Sequence, residues 1–225
     1  MPTYSLWLEP PPGGLVRDRL SAAIQQASGM ASCGPTFAPH ITLAGGCDLP
    51  SDAVAAAAAM DVARGLPGGV RIRFESARTG QSYHQSVFLC AAATPELRAA
   101  AAAARAAVRA WRGGPAPPPG DDDGEAEAAA TYFPHASLLY SDEPTTRAAV
   151  MAGVRPGGPL HALLTEAGVA LEEEEGCDDD KGPAWTRVTA WRTSGPVDGW
   201  ACVGDFGAGD GEEEVGGRGG TGQAS

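Results

Sequence analysis

The sequence predicts an α+β fold of two related halves, each an antiparallel or mixed sheet with helices on one face, enclosing a shared cleft. Three observations carry this. The order strand–helix–strand–helix–strand can be read twice along the chain, and the middle strand of each copy opens on Pro-His. The copies also keep related spacings, 33 positions from Trp7 to His40 and 47 from Phe88 to His135. The surplus of 14 is close to the length of a Pro-, Gly- and Asp-rich insert over residues 113–130. A chain of 225 residues is long enough to bury a proper core.

In the first copy, Tyr4-Ser-Leu-Trp-Leu alternates in part and reads as a strand, broken by the Pro/Gly run of residues 10–14. Leu15, Leu20 and Ile24 lie on a helix running to Met30. His40-Ile-Thr-Leu-Ala, entered through Pro39 and left through Gly45-Gly46, is a short strand. Ser51-Asp52 caps a helix over Ala53 to Arg64. Val70, Ile72 and Phe74 share one face of a half-buried strand.

In the second copy, Ser86-Val-Phe-Leu-Cys is a strand, and Thr94-Pro95-Glu96 opens a helix to about Arg112. The insert over 113–130 has no pattern and is expected to be disordered. Phe133 to Tyr140 is a strand entered through Pro134, and Glu143-Pro144 opens a helix to Val154. Two more strands are expected near Leu160 to Leu171 and Trp185 to Thr193, with another near Gly199 to Gly204. Residues 1–206 are expected to form one bilobal domain, followed by a disordered Gly/Glu tail over 207–225.

The formal charge of -12 is concentrated. Seventeen of the 28 carboxylates fall in the runs Asp121–Glu127, Glu172–Asp180 and Asp205–Glu214, which read as solvated loops or tail. Eleven acids remain against fourteen of the sixteen basic residues, so the body is mildly basic. It suits a small anion. A basic stripe interleaved with aromatics is missing, so a long nucleic acid is not an expected partner. The five cysteines form no C-x-x-C pair, which excludes a zinc ribbon and argues against a disulfide-built scaffold. No apolar run approaches the ~20 residues that span a bilayer. The first residues lack the basic and apolar regions of a secretion signal. A cytoplasmic, monomeric protein is expected.

The chemistry lies in Phe37-Ala-Pro-His-Ile-Thr-Leu and Phe133-Pro-His-Ala-Ser-Leu-Leu. Each puts a hydroxyl two residues after a histidine, His40 with Thr42 and His135 with Ser137, and in a strand those positions share a face. Imidazole exchanges protons near neutral pH, and a hydroxyl can donate to an anionic oxygen. Two such pairs face to face would hold a phosphate between a base and an acid, with no metal required. One H-x-[ST] carries little weight, because a strand histidine is ordinarily a hydrogen-bonded core residue. Two in corresponding strands of an internal repeat carry much more. His-x-Thr supplies one strong ligand per strand and no carboxylate, so neither a metal nor another cofactor is expected. His84 and His161 have no twin in the repeat.

These paired strands resemble the 2H phosphoesterase superfamily and, within it, the plant- and fungal-type cyclic phosphodiesterases. The likeness is carried by Tyr4-Ser-Leu-Trp-Leu-Glu-Pro, by residues 34–43, by Thr79-Gly80 through Gln85-Ser-Val-Phe-Leu, and by Pro134-His-Ala-Ser-Leu-Leu-Tyr. Val188-Thr-Ala-Trp-Arg-Thr continues it weakly. The resemblance implies a bilobal fold of two pseudo-symmetric antiparallel sheets with outer helices and a central cleft. It implies hydrolysis of 2′,3′-cyclic nucleotides to 2′-phosphates, and opening of ADP-ribose 1″,2″-cyclic phosphate, a by-product of tRNA splicing, to the 1″-phosphate. On that reading His40 and His135 are the acid/base pair, with His135 as base and His40 as acid. Thr42 and Ser137 bind the phosphate, and Tyr140 is either a substrate contact or a strand-end aromatic capping the core. Tyr83 and His84 fall where aromatics line the nucleoside side. The partner is a small cyclic-phosphate nucleotide. Competing readings are a 2H enzyme acting on RNA 3′ ends, a catalytically silent nucleotide-binding module, and a plain structural domain with core histidines.

Overall fold

Strand β1 (Thr3–Glu9) has two sides of different character. Tyr4, Leu6 and Leu8 are buried in the main hydrophobic core, whereas Ser5, Trp7 and Glu9 point to the opposite face. The whole molecule repeats that division. A computed structural model describes residues 1–31, 34–112, 131–169 and 182–208. The expected insert, the acidic run Glu172–Asp180 and nearly all of the tail lie outside the described residues.

The remaining elements are α1 (Leu15–Met30), β2 (Ile41–Asp48), α2 (Asp52–Arg64), β3 (Val70–Arg71), β4 (Phe74–Thr79), β5 (Val87–Ala91), α3 (Pro95–Trp111) and β6 (His135–Leu139). Then come α4 (Pro144–Val154), α5 (His161–Glu166), β7 (Ala184–Trp185), β8 (Arg187–Arg192) and β9 (Ala201–Gly207). The class is α+β, with a seven-stranded sheet in the order β4-β5-β6-β2-β1-β8-β9 and a small sheet of β3 and β7. All strand pairs are antiparallel.

The two expected sheets are the two halves of this one large sheet. A single pair, Ile41 opposite Ala136, joins β2 to β6. Each member of that pair directly follows a motif histidine, so the junction runs between His40-x-Thr42 and His135-x-Ser137. The repeat extends to the neighbouring strands: Trp7 lies opposite Thr42, and Phe88 opposite Ser137.

Helix burial follows the sequence pattern. Leu20, Ala23, Ile24 and Ala27 form the buried stripe of α1. Ser51 caps α2 by accepting from the Val54 N–H, and Thr94 caps α3 by accepting from the Leu97 N–H, with Pro95 at the first turn. The alanines of α2 allow very close packing on β9, where a Cβ on Gly204 would lie 2.9 Å from the Ala56 Cα.

Several expectations change. Leu160 to Leu171 was expected as a strand, but its described part holds the helix α5. Leu160, Leu164 and Ala167, at and around this helix, are buried at steps of four and three, which are helical, and Val169 is buried just beyond them. Gly45-Gly46 does not end β2. The strand runs on to Asp48, and the pair forms a bulge opposite Ser5, with Gly46 at φ 65°. The strand expected from Val70 divides into β3 and β4. Asp205, counted with the tail-like acidic run, lies in β9 and pairs with Arg187 at 2.6 Å.

Candidate active site

Pro39 and Pro134 shape the entry to each motif. Proline holds its own φ near −65° and biases the preceding residue toward extended backbone. In both copies the carbonyl two residues before the histidine meets its ring: His40 Nδ1 lies 2.7 Å from the Ala38 oxygen, and His135 Nδ1 lies 3.1 Å from the Phe133 oxygen. An Nδ1–H donated to that carbonyl leaves Nε2 as the free proton-exchanging atom. The antiparallel junction at Ile41 and Ala136 then turns His40 toward Ser137 and Thr42 toward His135. Both histidines, with Thr42, line a cleft of about 580 Å³ to which β1 contributes Ser5 and Trp7.

Beyond this core of the site, the predicted residues divide. Ser137 is buried, and its hydroxyl donates to the His84 carbonyl at 3.1 Å. Tyr140 lines the cleft although only 4% exposed, stacked on Phe37 with ring centroids 4.1 Å apart. Burial pushes its phenol up, and a hydrogen bond with Ser137 acts in the other direction. His84 is exposed, lines the cleft and stacks on Trp200. Tyr83 is not among the cleft-lining residues. It packs edge-on against His84, behind the lining layer.

Sequence reasoning missed much of the wall. Trp7 stacks flat on His40, with centroids 3.6 Å apart and planes within 8°. Trp191 stacks on Trp7 in turn, and its Nε1–H donates to the buried Glu9 at 3.0 Å. Glu9 also accepts from the Thr189 hydroxyl at 2.7 Å and from Arg17 at 2.9 Å, so its charge is fully engaged. Ser5, Thr193 and Trp200 complete the His40 side of the cleft. Trp7 carried a usable signal, its place in the repeat equivalent to that of Phe88. Thr193 carried only the weak family likeness of residues 188–193, and Trp200 carried none, since it reaches the site only through the β8–β9 connection.

Both imidazoles are biased toward the neutral form. Burial drives His40 down from 6.5 to about 4; the Ala38 carbonyl opposes that, and His135 adds a further downward push. Burial also lowers His135, opposed by the Phe133 carbonyl. The push of His135 on His40 agrees with both rings lining one cleft, as a shared phosphate site requires. Among the described residues, no group of three or more His, Cys, Asp or Glu side chains is gathered as a metal site.

The profile of a family described as cyclic phosphodiesterase-like protein matches residues 1–207, a span that includes both histidine strands. The chain belongs to that family, within the 2H phosphoesterase superfamily. It is a cyclic phosphodiesterase, and hydrolysis of a cyclic phosphodiester is its chemistry. A 2′,3′-cyclic-nucleotide 3′-phosphodiesterase of Yarrowia lipolytica (strain CLIB 122 / E 150) is 28% identical over 227 residues, covering 89% of this chain and 97% of that protein. No helix among the described residues of this cyclic phosphodiesterase is long and apolar enough to cross a membrane.

Proposed function

We propose that the enzyme hydrolyses 2′,3′-cyclic nucleotides to nucleoside 2′-phosphates, and ADP-ribose 1″,2″-cyclic phosphate to ADP-ribose 1″-phosphate, through His40 and His135 without a metal. The observation that carries the reading is the doubled motif, with both Nδ1 atoms on backbone carbonyls and the strands joined beside the two histidines. The name of the Yarrowia relative, which specifies a 2′,3′-cyclic nucleotide and its 3′ ester, supports the substrate and the bond broken.

In the proposed step, Nε2 of neutral His135 takes a proton from water as the water oxygen attacks phosphorus. The bond from phosphorus to the 3′ oxygen breaks, and protonated His40 gives that oxygen its proton through Nε2. The burial difference favours this division of roles. His135 is the less perturbed ring and the stronger base, whereas His40, once protonated, is the stronger acid. The productive arrangement is a minority form in the free protein, and the anionic phosphate stabilises it by favouring a proton on His40. Thr42 donates to a non-bridging oxygen. Ser137 does so after its hydroxyl turns from the His84 carbonyl, and Tyr140 contacts the substrate beside it.

Incubation with a 2′,3′-cyclic nucleotide in EDTA should yield the 2′-phosphate alone. Loss of turnover in EDTA, with recovery on adding a divalent ion, would sink the metal-free mechanism. A substrate with a 3′ bridging sulfur, whose thiolate leaves without a proton, assigns the roles. His40→Ala should recover on it and His135→Ala should not. The reverse pattern exchanges the two histidines.

A further inference from the structure

Beside the cleft, across His135 and away from Trp200, lies a second groove of about 460 Å³ between β2 and α3. The two spaces share Thr42, Gly45 and His135 as walls and so adjoin each other. Their chemistry differs sharply. Arg105, Arg109 and Arg112 line the groove, the first two on one face of α3 and Arg112 directly after its last residue. Among the described residues no carboxylate lines it, and at its end Arg112 is ion-paired with the Asp48 carboxylate at 3.5 Å. Arg112 is held at the rim by Asp48, its Nε donating to the Asp48 carbonyl at 2.9 Å. Arg105 lies over the Tyr132 ring at 5.8 Å, and Tyr132 in turn donates to the Thr42 carbonyl, which ties this wall to the phosphate-facing strand.

The opposite flank of the cleft adjoins an aromatic pocket lined by Trp7, Phe37, Trp191 and Trp200 with Asp198, and among the described residues no arginine or lysine lines it. None lines the central cleft either. Guanidinium groups on a wall shared with a catalytic histidine match the planar, doubly accepting face of a phosphate.

We propose that this arginine groove is a subsite for a second phosphate group, carried on the 5′ carbon of the ribose whose 2′ and 3′ oxygens bear the cyclic phosphate. The proposal rests on the function proposed above and narrows its substrate class to cyclic nucleotides with a further 5′ anionic group. That group is either a terminal phosphate or diphosphate, or the phosphodiester that links the last nucleotide of an oligonucleotide. Either way the substrate has a direction, with its 5′ side toward α3 and its base away from it, toward Trp200.

The test measures binding and turnover separately. By calorimetry, an adenosine 2′,5′-bisphosphate should bind the wild-type protein about 10- to 100-fold more tightly than adenosine 2′-monophosphate, as expected for a phosphate held by charged donors. The kcat/KM for a 5′-phosphorylated 2′,3′-cyclic nucleotide should exceed that for its unphosphorylated counterpart by a similar factor. R105Q and R109Q should each lower these ratios at least several-fold, and R109K, which keeps the charge but loses the planar fork, should retain only part of the preference. A dinucleotide ending in a cyclic phosphate separates the two sources. Preference for it assigns the groove to an oligonucleotide 3′ end, and preference for the terminal phosphate alone assigns it to mononucleotides. Ratios near one in the wild type, with the 2′-monophosphate still bound, overturn the subsite alone. Ratios unchanged by both glutamine variants do the same. Failure to bind either nucleotide, with no turnover, overturns the proposed function along with it.

Discussion

The two H-x-[ST] strands carry the same local signal and meet different surroundings. His40 is 5% exposed beneath the flat face of Trp7. His135 is half-buried, with Phe133 stacked at 5.6 Å and the edge of Phe88 at 5.3 Å. Trp7 and Phe88 hold equivalent places in the repeat, each opposite the motif hydroxyl on the next strand. A larger, coplanar ring excludes more water from its histidine, and exclusion of water is what lowers the affinity of an imidazole for a proton. One motif duplicated in two half-sheets thus becomes two chemically distinct groups through the partners on adjacent strands. The flanks diverge in the same way, aromatic beyond His40 and cationic beyond His135.

The harshest way to break the comparison is to remove each imidazole. His40→Ala and His135→Ala should each reduce turnover by about 10²–10⁴-fold, the usual contribution of a positioned acid or base. Circular dichroism should show both variants folded at neutral pH. A loss of activity that only accompanies unfolding would return the histidines to a structural role.

Removing the hydroxyls tests whether both strands grip the phosphate. Thr42→Ala and Ser137→Ala should each lower kcat/KM by about 10- to 150-fold, corresponding to about 1.5–3 kcal/mol for a donor to an anionic oxygen. Kinetics like the wild type's in both would exclude them from the mechanism.

Stability against pH sharpens the difference between the rings. His40 binds a proton at about 4 in the folded protein and near 6.5 when unfolded, so between those values the unfolded chain holds more protons. Its stabilising contribution is complete above about pH 6.5 and is lost as pH falls toward 4, on the order of 3 kcal/mol in all. His135 acts in the same direction with a smaller effect. Urea unfolding at pH 7.5 and 4.5 should therefore show a steeper acid loss in the wild type than in His40→Ala. Equal losses would show that His40 is not held neutral by burial.

The smallest effect concerns the pH profile of catalysis. Because both histidines are lowered, the singly protonated pair is most populated below pH 6.5, and kcat/KM should peak on the acid side of neutrality. Trp7→Phe should move the acid limb upward by several tenths of a pH unit as water gains access to His40. Phe88→Leu should move the profile less. An optimum above pH 7 would contradict the burial of the pair.

Residues 40, 42, 135 and 137 were legible in the sequence because proline entry, strand alternation and repetition are local properties of the chain. The same holds for α1, α2 and α3, whose apolar spacing and caps lie within a few turns. The strand expected near Leu160 to Leu171 holds a helix at His161–Glu166 because a short apolar segment fits either period until neighbours select one. The joining of the two half-sheets was not legible, since it rests on the single pair Ile41 and Ala136, 95 positions apart. Nor was the wall of Trp191, Thr193 and Trp200, or the alignment of the α3 arginines with His135. In the sequence those arginines are only the polar face of a helix. Chain-local rules determined which groups can do chemistry here, because backbone preference and side-chain period act over a few residues. Tertiary packing decided how strongly each histidine holds its proton and which charges flank it, because desolvation and electrostatic fields depend on neighbours brought together from distant strands.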